Sequence, residues 1–157
     1  RDRAIPILDL LVKAHGKGII HRDIKPRNIL LGKGVVPKLG DFDAARIANM
    51  ISRSTAGRYT PGFASPEQVL ERRSGPLSDV FGVASTLYWL VSRRHAYPLD
   101  YYYEARDFTT YEPQNPGLPE EIWEPVRAAL SPDDKERPTA AKFRDMLAEA
   151  YADLYYR

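Results

Sequence analysis

His21-Arg22-Asp23-Ile24-Lys25-Pro26-Arg27-Asn28, followed thirteen residues after Asn28 by Asp41-Phe42-Asp43, is the stretch on which the reading of this chain turns. A carboxylate that can take a hydroxyl proton, a cation for a moving phosphate and two oxygen ligands for Mg²⁺ are the parts phosphoryl transfer requires. Asp23 is the candidate base and Lys25 the candidate phosphate contact. Asn28 and Asp41 offer one neutral and one charged oxygen, the small set that Mg²⁺ accepts alongside phosphates and water. Each residue alone has a plainer reading. Asp23 would be an ion-pair partner, Lys25 a solvated lysine, and Asn28 and Asp41 turn residues. Their common register carries the chemical reading.

Upstream, Ile5, Leu8, Leu11, Val12 and His15 recur at three- and four-residue steps. This predicts an amphipathic helix from about Arg3 to Ala14, stopped by Gly16 and Gly18. Downstream, Ile29-Leu30-Leu31 and Val35 to Leu39 flank Gly32-Lys33-Gly34, the pattern of a short hairpin. That Gly-Lys-Gly lacks the wider glycine spacing and following helix of a phosphate loop, so a turn is expected. From Ala44 to Thr60 periodicity is lost and a long loop is expected. Helical pattern restarts at Pro66 to Leu70. Ser78 is read as the N-cap, with Asp79 in the first turn, of an apolar helix through Val91. Arg93 to Pro119 is rich in Tyr and Pro with weak periodicity, Ile122 to Leu130 is a short helix, and Thr139 to Tyr151 is a terminal amphipathic helix.

The 157 residues, 43% of them apolar, suit one globular core. Twenty-three Lys and Arg against 21 Asp and Glu leave a net charge of +2, which argues against nucleic acid as the main partner. Cysteine is absent, so no disulfide framework or thiolate metal site exists. Val80 to Val91 is too short to cross a bilayer as a helix, and no secretory signal opens the chain. A cytoplasmic location is the expectation. The first residue is Arg, so the chain reads as a piece of a longer polypeptide.

The spacing His-Arg-Asp-x-Lys-x-x-Asn resembles the catalytic loop of the eukaryotic-type Ser/Thr protein kinases. Four further segments match in order: Asp41-Phe42; Tyr59 to Glu67, similar to the end of the kinase activation segment with Ser65 in place of Ala; Asp79-Val80-Phe81; and Arg137. The resemblance implies a mainly α kinase-like C-lobe with short β-hairpins, ATP and Mg²⁺ (or Mn²⁺) as cofactors, and a protein substrate. It implies that His21 packs beside Phe42, that Thr60 contacts the base and the lysine and helps exclude tyrosine substrates, and that Asp79 holds the catalytic-loop backbone. It pairs Glu67 with Arg137. Arg22 could bind a phosphorylated side chain bidentately, with Ser52, Ser54 or Thr55 supplying it, or else an unmodified acid or water.

Three departures stand out. Asp43 occupies the position where the family has Gly, and Ala84 stands where glycine is usual. No Gly-x-Gly-x-x-Gly and no strand with a Val-Ala-x-Lys signature occur, so the nucleotide-gripping N-lobe is missing. The expected organisation is a helix leading to the loop (1–18), catalytic loop and metal-binding segment (19–43), activation segment (44–67) and helical subdomain (68–157). The piece alone is expected to be incompetent, with the N-lobe supplied by the parent chain or a partner. The alternative is a pseudokinase or kinase-derived scaffold that docks partners through the Tyr97 to Tyr111 surface.

Overall fold

The computed structural model describes residues 4–31, 37–40, 46–47 and 59–156. The expectations for Gly32-Lys33-Gly34, Asp41, Phe42, Asp43, Ser52, Ser54 and Thr55 therefore lie outside the described residues. The fold is mainly helical with two short antiparallel ladders, in agreement with the expected fold class.

Helix α1 (Ala4–Gly16) ends where its glycine and the following turn remove the Cβ-bearing pattern, and Gly18 takes φ 71. Strand β1 (Ile19–Ile20) leads into the loop that carries His21 to Lys25, and a 3₁₀ turn at Pro26–Asn28 leads out of it to β2 (Ile29–Leu31). Strand β2 pairs with β3 (Pro37–Leu39) in the register Ile29↔Leu39, as a hairpin requires. Strand β4 (Arg46–Ile47) pairs with β1, Ile19 opposite Ile47. This corrects the aperiodic reading of 44–60, because a two-residue strand is too short to show alternation.

Helices α2 (Pro66–Leu70), α3 (Pro76–Ser92), α4 (Leu99–Tyr103), α5 (Glu120–Ala129) and α6 (Ala140–Tyr155) follow. Helix α3 is the central one: Val80, Phe81, Val83 and Ala84 are fully buried among Leu8 and Leu11 of α1, Val126 of α5, and Phe143 and Leu147 of α6. Each large side chain so buried contributes about 1.5–3 kcal/mol relative to exposure. The α3 start differs from the sequence reading. Gly75, in extended backbone, is the N-cap, Pro76 fills N1, and Ser78 stands at N3. Its hydroxyl still serves the helix end, accepting from Gly75 N–H at 3.0 Å. Proline at N1 presets the first helical φ and moves the start upstream of the serine.

Gly82, rather than residue 84, is the α3 position with no room for a side chain against Ile24. A Cβ there would lie 3.0 Å from Ile24 Cβ and 3.2 Å from the Ile24 carbonyl oxygen. Ala84 is accommodated in full burial. The tyrosine-rich segment folds inward: Tyr97 and Tyr102 are buried, Tyr97 stacks on Phe81 at 5.9 Å and packs against Phe108 and Tyr111. Of the tyrosines considered for docking, Tyr103 is the one that faces solvent, at 72% exposure.

Candidate active site

Two segments 35 residues apart in sequence meet at Asp23. Lys25 Nζ lies 2.9 Å from Asp23 Oδ2 and donates to Thr60 Oγ1 at 2.8 Å. Thr60 Oγ1 in turn donates to Asp23 Oδ1 at 2.6 Å. The threonine hydroxyl thus passes a donor direction from lysine to carboxylate. Asn28 Nδ2 donates to the Asp23 carbonyl at 2.7 Å and, longer, to Asp23 Oδ2 at 3.4 Å. Its amide nitrogen being committed this way, Asn28 Oδ1 is the atom left as an acceptor, and no hydrogen bond to it is made among the described residues.

A carboxylate has about four acceptor sites, two per oxygen. On Oδ2 Lys25 and Asn28 take both; on Oδ1 Thr60 takes one. The remaining site for an incoming hydroxyl proton is therefore on Oδ1. Lys25, with three donors, has two engaged by Asp23 and Thr60 and one left for an anion.

The loop backbone is held from beneath. Asp79 Oδ2 accepts the His21 N–H at 2.9 Å and Oδ1 the Arg22 N–H at 2.8 Å; His15 Nε2 donates to Oδ2 at 2.8 Å. His21 Nε2 donates to the Gly40 carbonyl at 2.9 Å while its Nδ1 accepts the Asp23 N–H at 3.3 Å, a pair of contacts that matches the Nε2–H tautomer. Gly40 N–H also donates to the Asn28 carbonyl at 2.7 Å. The residue preceding Asp41 is thus tied to the same loop as Asn28. Arg22 has φ 73, the left-handed region that a side chain resists.

Glu67 and Arg137 are joined bidentately, Nη1 to Oε1 at 2.8 Å and Nη2 to Oε2 at 2.7 Å. Ser78 Oγ donates to Glu67 Oε1 at 2.7 Å, and Arg137 also reaches the carbonyls of Ser131 and Leu77 and stacks 4.9 Å over Phe81. Burial by itself would raise the Glu67 carboxyl, but the Arg137 hydrogen bonds and charge, with Ser78, hold it below its ordinary value. Beside Thr60, Gly62 takes φ 88 directly against His95, where a Cβ would meet the imidazole at 2.2 Å. Burial lowers the His95 pKa, partly offset by the Gly62 backbone.

His15, Gln68, Ser78 and Gly82 also border this site, and the motifs do not point to them. Ser65 and Gln68 stand at capping-box spacing, a signal for their mutual contact. Among the described residues, no group of three or more His, Asp or Glu could hold a metal, and no helix is long and apolar enough to cross a membrane.

The model of the protein kinase domain matches residues 4–151. The chain is 32% identical over 141 residues, 85% of its length, to the serine/threonine-protein kinase PkaA of Streptomyces coelicolor. It is 32% identical over 157 residues, 98% of its length, to the probable serine/threonine-protein kinase PkwA of Thermomonospora curvata. Against the serine/threonine-protein kinase PknL of Mycobacterium tuberculosis it is 38% identical over 89 residues, 55% of the chain. The chain spans 26%, 20% and 22% of the lengths of these relatives.

Proposed function

The chain belongs to the protein kinase domain family, and from that premise we propose that it is the C-lobe half of a Ser/Thr protein kinase active site. The observation that carries the reading is the Asp23–Lys25–Thr60 triangle, with one acceptor site open on Asp23 Oδ1 and one donor open on Lys25. In this reading Asp23 Oδ1 takes the proton of a protein hydroxyl. The hydroxyl oxygen bonds to the γ-phosphorus of ATP, the bond to the bridging oxygen breaks, and ADP leaves with that electron pair. Lys25 directs its third donor to the transferred phosphate. Asn28 Oδ1 fits a hard cation, and with Asp41 it would hold Mg²⁺ (or Mn²⁺), which neutralises phosphate charge when bound.

The four-part division at residues 18, 43 and 67 follows from this reading, as does the need for a nucleotide-gripping lobe from the same polypeptide or a partner. Arg22 with Ser52, Ser54 or Thr55 would form the regulatory contact. Alanine at all three hydroxyl positions should then lower activity, and indifference to that change removes the contact from the account.

The decisive measurement is transfer of labelled γ-phosphate to a protein substrate by the full-length protein. Asp23→Asn should lower kcat by about 10²–10⁴-fold, the range of a lost general base. Equal incorporation by Asp23→Asn and wild type would sink the assignment and favour a scaffold.

A further inference from the structure

We infer that Gln68 is the positioning residue that sets the peptide group leading into Asp23, an inference that rests on the catalytic role proposed for Asp23. Gln68 lies in α2, buried at 8% exposure, and its Nε2 donates to the Arg22 carbonyl at 2.9 Å across 46 residues of sequence. The other end of the carboxamide decides its orientation. Gln68 Oε1 accepts from Ser65 N–H at 3.0 Å and from Ser65 Oγ at 3.1 Å. Turning the amide over would set NH₂ against an N–H and an oxygen against a carbonyl, so the partners permit one orientation.

The Arg22 carbonyl belongs to the peptide group that joins Arg22 to Asp23. Arg22 itself stands in left-handed backbone, which persists in a non-glycine residue where the surroundings over-determine it. Two clamps do so. Asp79 of α3 takes the N–H on one side of Arg22, and Gln68 of α2 holds the C=O on the other. The first clamp comes from the core, whereas the second comes from α2, the first helix after Thr60. Gln68 therefore couples the placement of that segment to the direction of the Asp23 side chain. Ser65, which stands in place of Ala in the kinase-like run, acts in this chain as the residue that aims the glutamine.

The test compares Gln68→Met, of similar length but without the amide, Gln68→Glu, which keeps an acceptor for Ser65 and loses the donor, and Ser65→Ala, which keeps the backbone N–H. Two readouts are taken on the full-length protein. The Asp23 amide, which donates to His21, should exchange its hydrogen about tenfold faster in Gln68→Met and Gln68→Glu, consistent with one lost hydrogen bond. In phosphotransfer, kcat should fall about tenfold or more with KM for ATP within twofold, a split that a general loosening would not give. Ser65→Ala should fall between wild type and Gln68→Met on both. Unchanged exchange at Asp23 in Gln68→Met, or an equal rise in exchange throughout α6, overturns the inference. Failure of the catalytic reading shows separately, as full activity in Asp23→Asn, and the exchange readout does not depend on it.

Discussion

Glu67–Arg137 and Asp23–Lys25 are both carboxylate–cation pairs, yet the first has side chains 3% and 0% exposed and the second 22% and 21%. In the closed pair all five N–H groups of the guanidinium are used, on both carboxylate oxygens and on the carbonyls of Ser131, Leu77 and Pro132, and Ser78 adds a third bond to Glu67. The open pair keeps one Lys25 donor free and leaves both side chains in reach of solvent. The difference teaches that such a pair is locked when the cation's hydrogen-bonding capacity is used up internally, and that in the catalytic reading proposed for Asp23 and Lys25 the capacity left facing solvent is what chemistry would use.

The hardest way to break that contrast is to remove one partner of the closed pair. Arg137→Met should cost about 3–5 kcal/mol in denaturant unfolding, because it strands a buried carboxylate. The Glu67→Leu/Arg137→Met double variant should recover part of the loss, since replacing both charges with apolar groups is far less costly. Asp23→Asn, which should abolish most phosphotransfer, should leave unfolding stability near that of wild type. A stability loss in Asp23→Asn as large as that of Arg137→Met would erase the distinction.

The pH dependence sharpens the contrast at smaller scale. The Glu67 carboxyl is held below its ordinary value near 4.5 in the folded chain, so between the two values the unfolded chain binds the extra proton. The stability Glu67 contributes is present in full above the ordinary value and is lost as pH falls through the lowered folded value. Unfolding at pH 7 and pH 4 should show wild type losing more stability than Glu67→Gln. Asp134, held low by its hydrogen bond from Arg73, and Asp107, held low by Thr109, act in the same direction, so the variant should keep a reduced slope rather than none.

Arg127–Glu124 gives the smallest effect. Its side chains are 47% and 52% exposed, and pairs of this kind contribute about 0–1 kcal/mol in water. Arg127→Ala should shift the melting temperature little, and any shift should shrink in 0.5 M salt, a concentration at which the screening length falls to roughly half its value at 0.1 M.

Asp23, Lys25 and Asn28 could be picked out from sequence because their chemistry is packed into six consecutive residues, and Thr60 because it precedes a recognisable Pro-Gly-Phe-x-Ser-Pro-Glu run. The helical architecture followed from three- and four-residue spacing of large apolar side chains. What escaped has a physical reason in each case. Gln68 acts on a backbone carbonyl, which every residue owns and no letter encodes. Strand β4 is two residues long, below the length at which its period repeats, and α4 buries one residue, Tyr102, so no apolar stripe marks it. Ser78 was displaced as N-cap by Gly75 and Pro76, a competition between two good helix starts three residues apart. Gly82 is a contact of missing volume, visible after α3 and Ile24 are brought together.

The anchoring of His21 and Arg22 by Asp79 also orders events during synthesis. The carboxylate that holds the backbone of His21 and Arg22 is encoded 58 residues after His21. At translation speeds of about 5–20 residues per second, the loop exists for roughly 3–12 s before its anchor has been made. The loop is therefore assembled backwards along the chain, completed by α3 after its own residues have left the peptidyl-transfer centre, and its left-handed Arg22 is imposed late rather than nucleated locally.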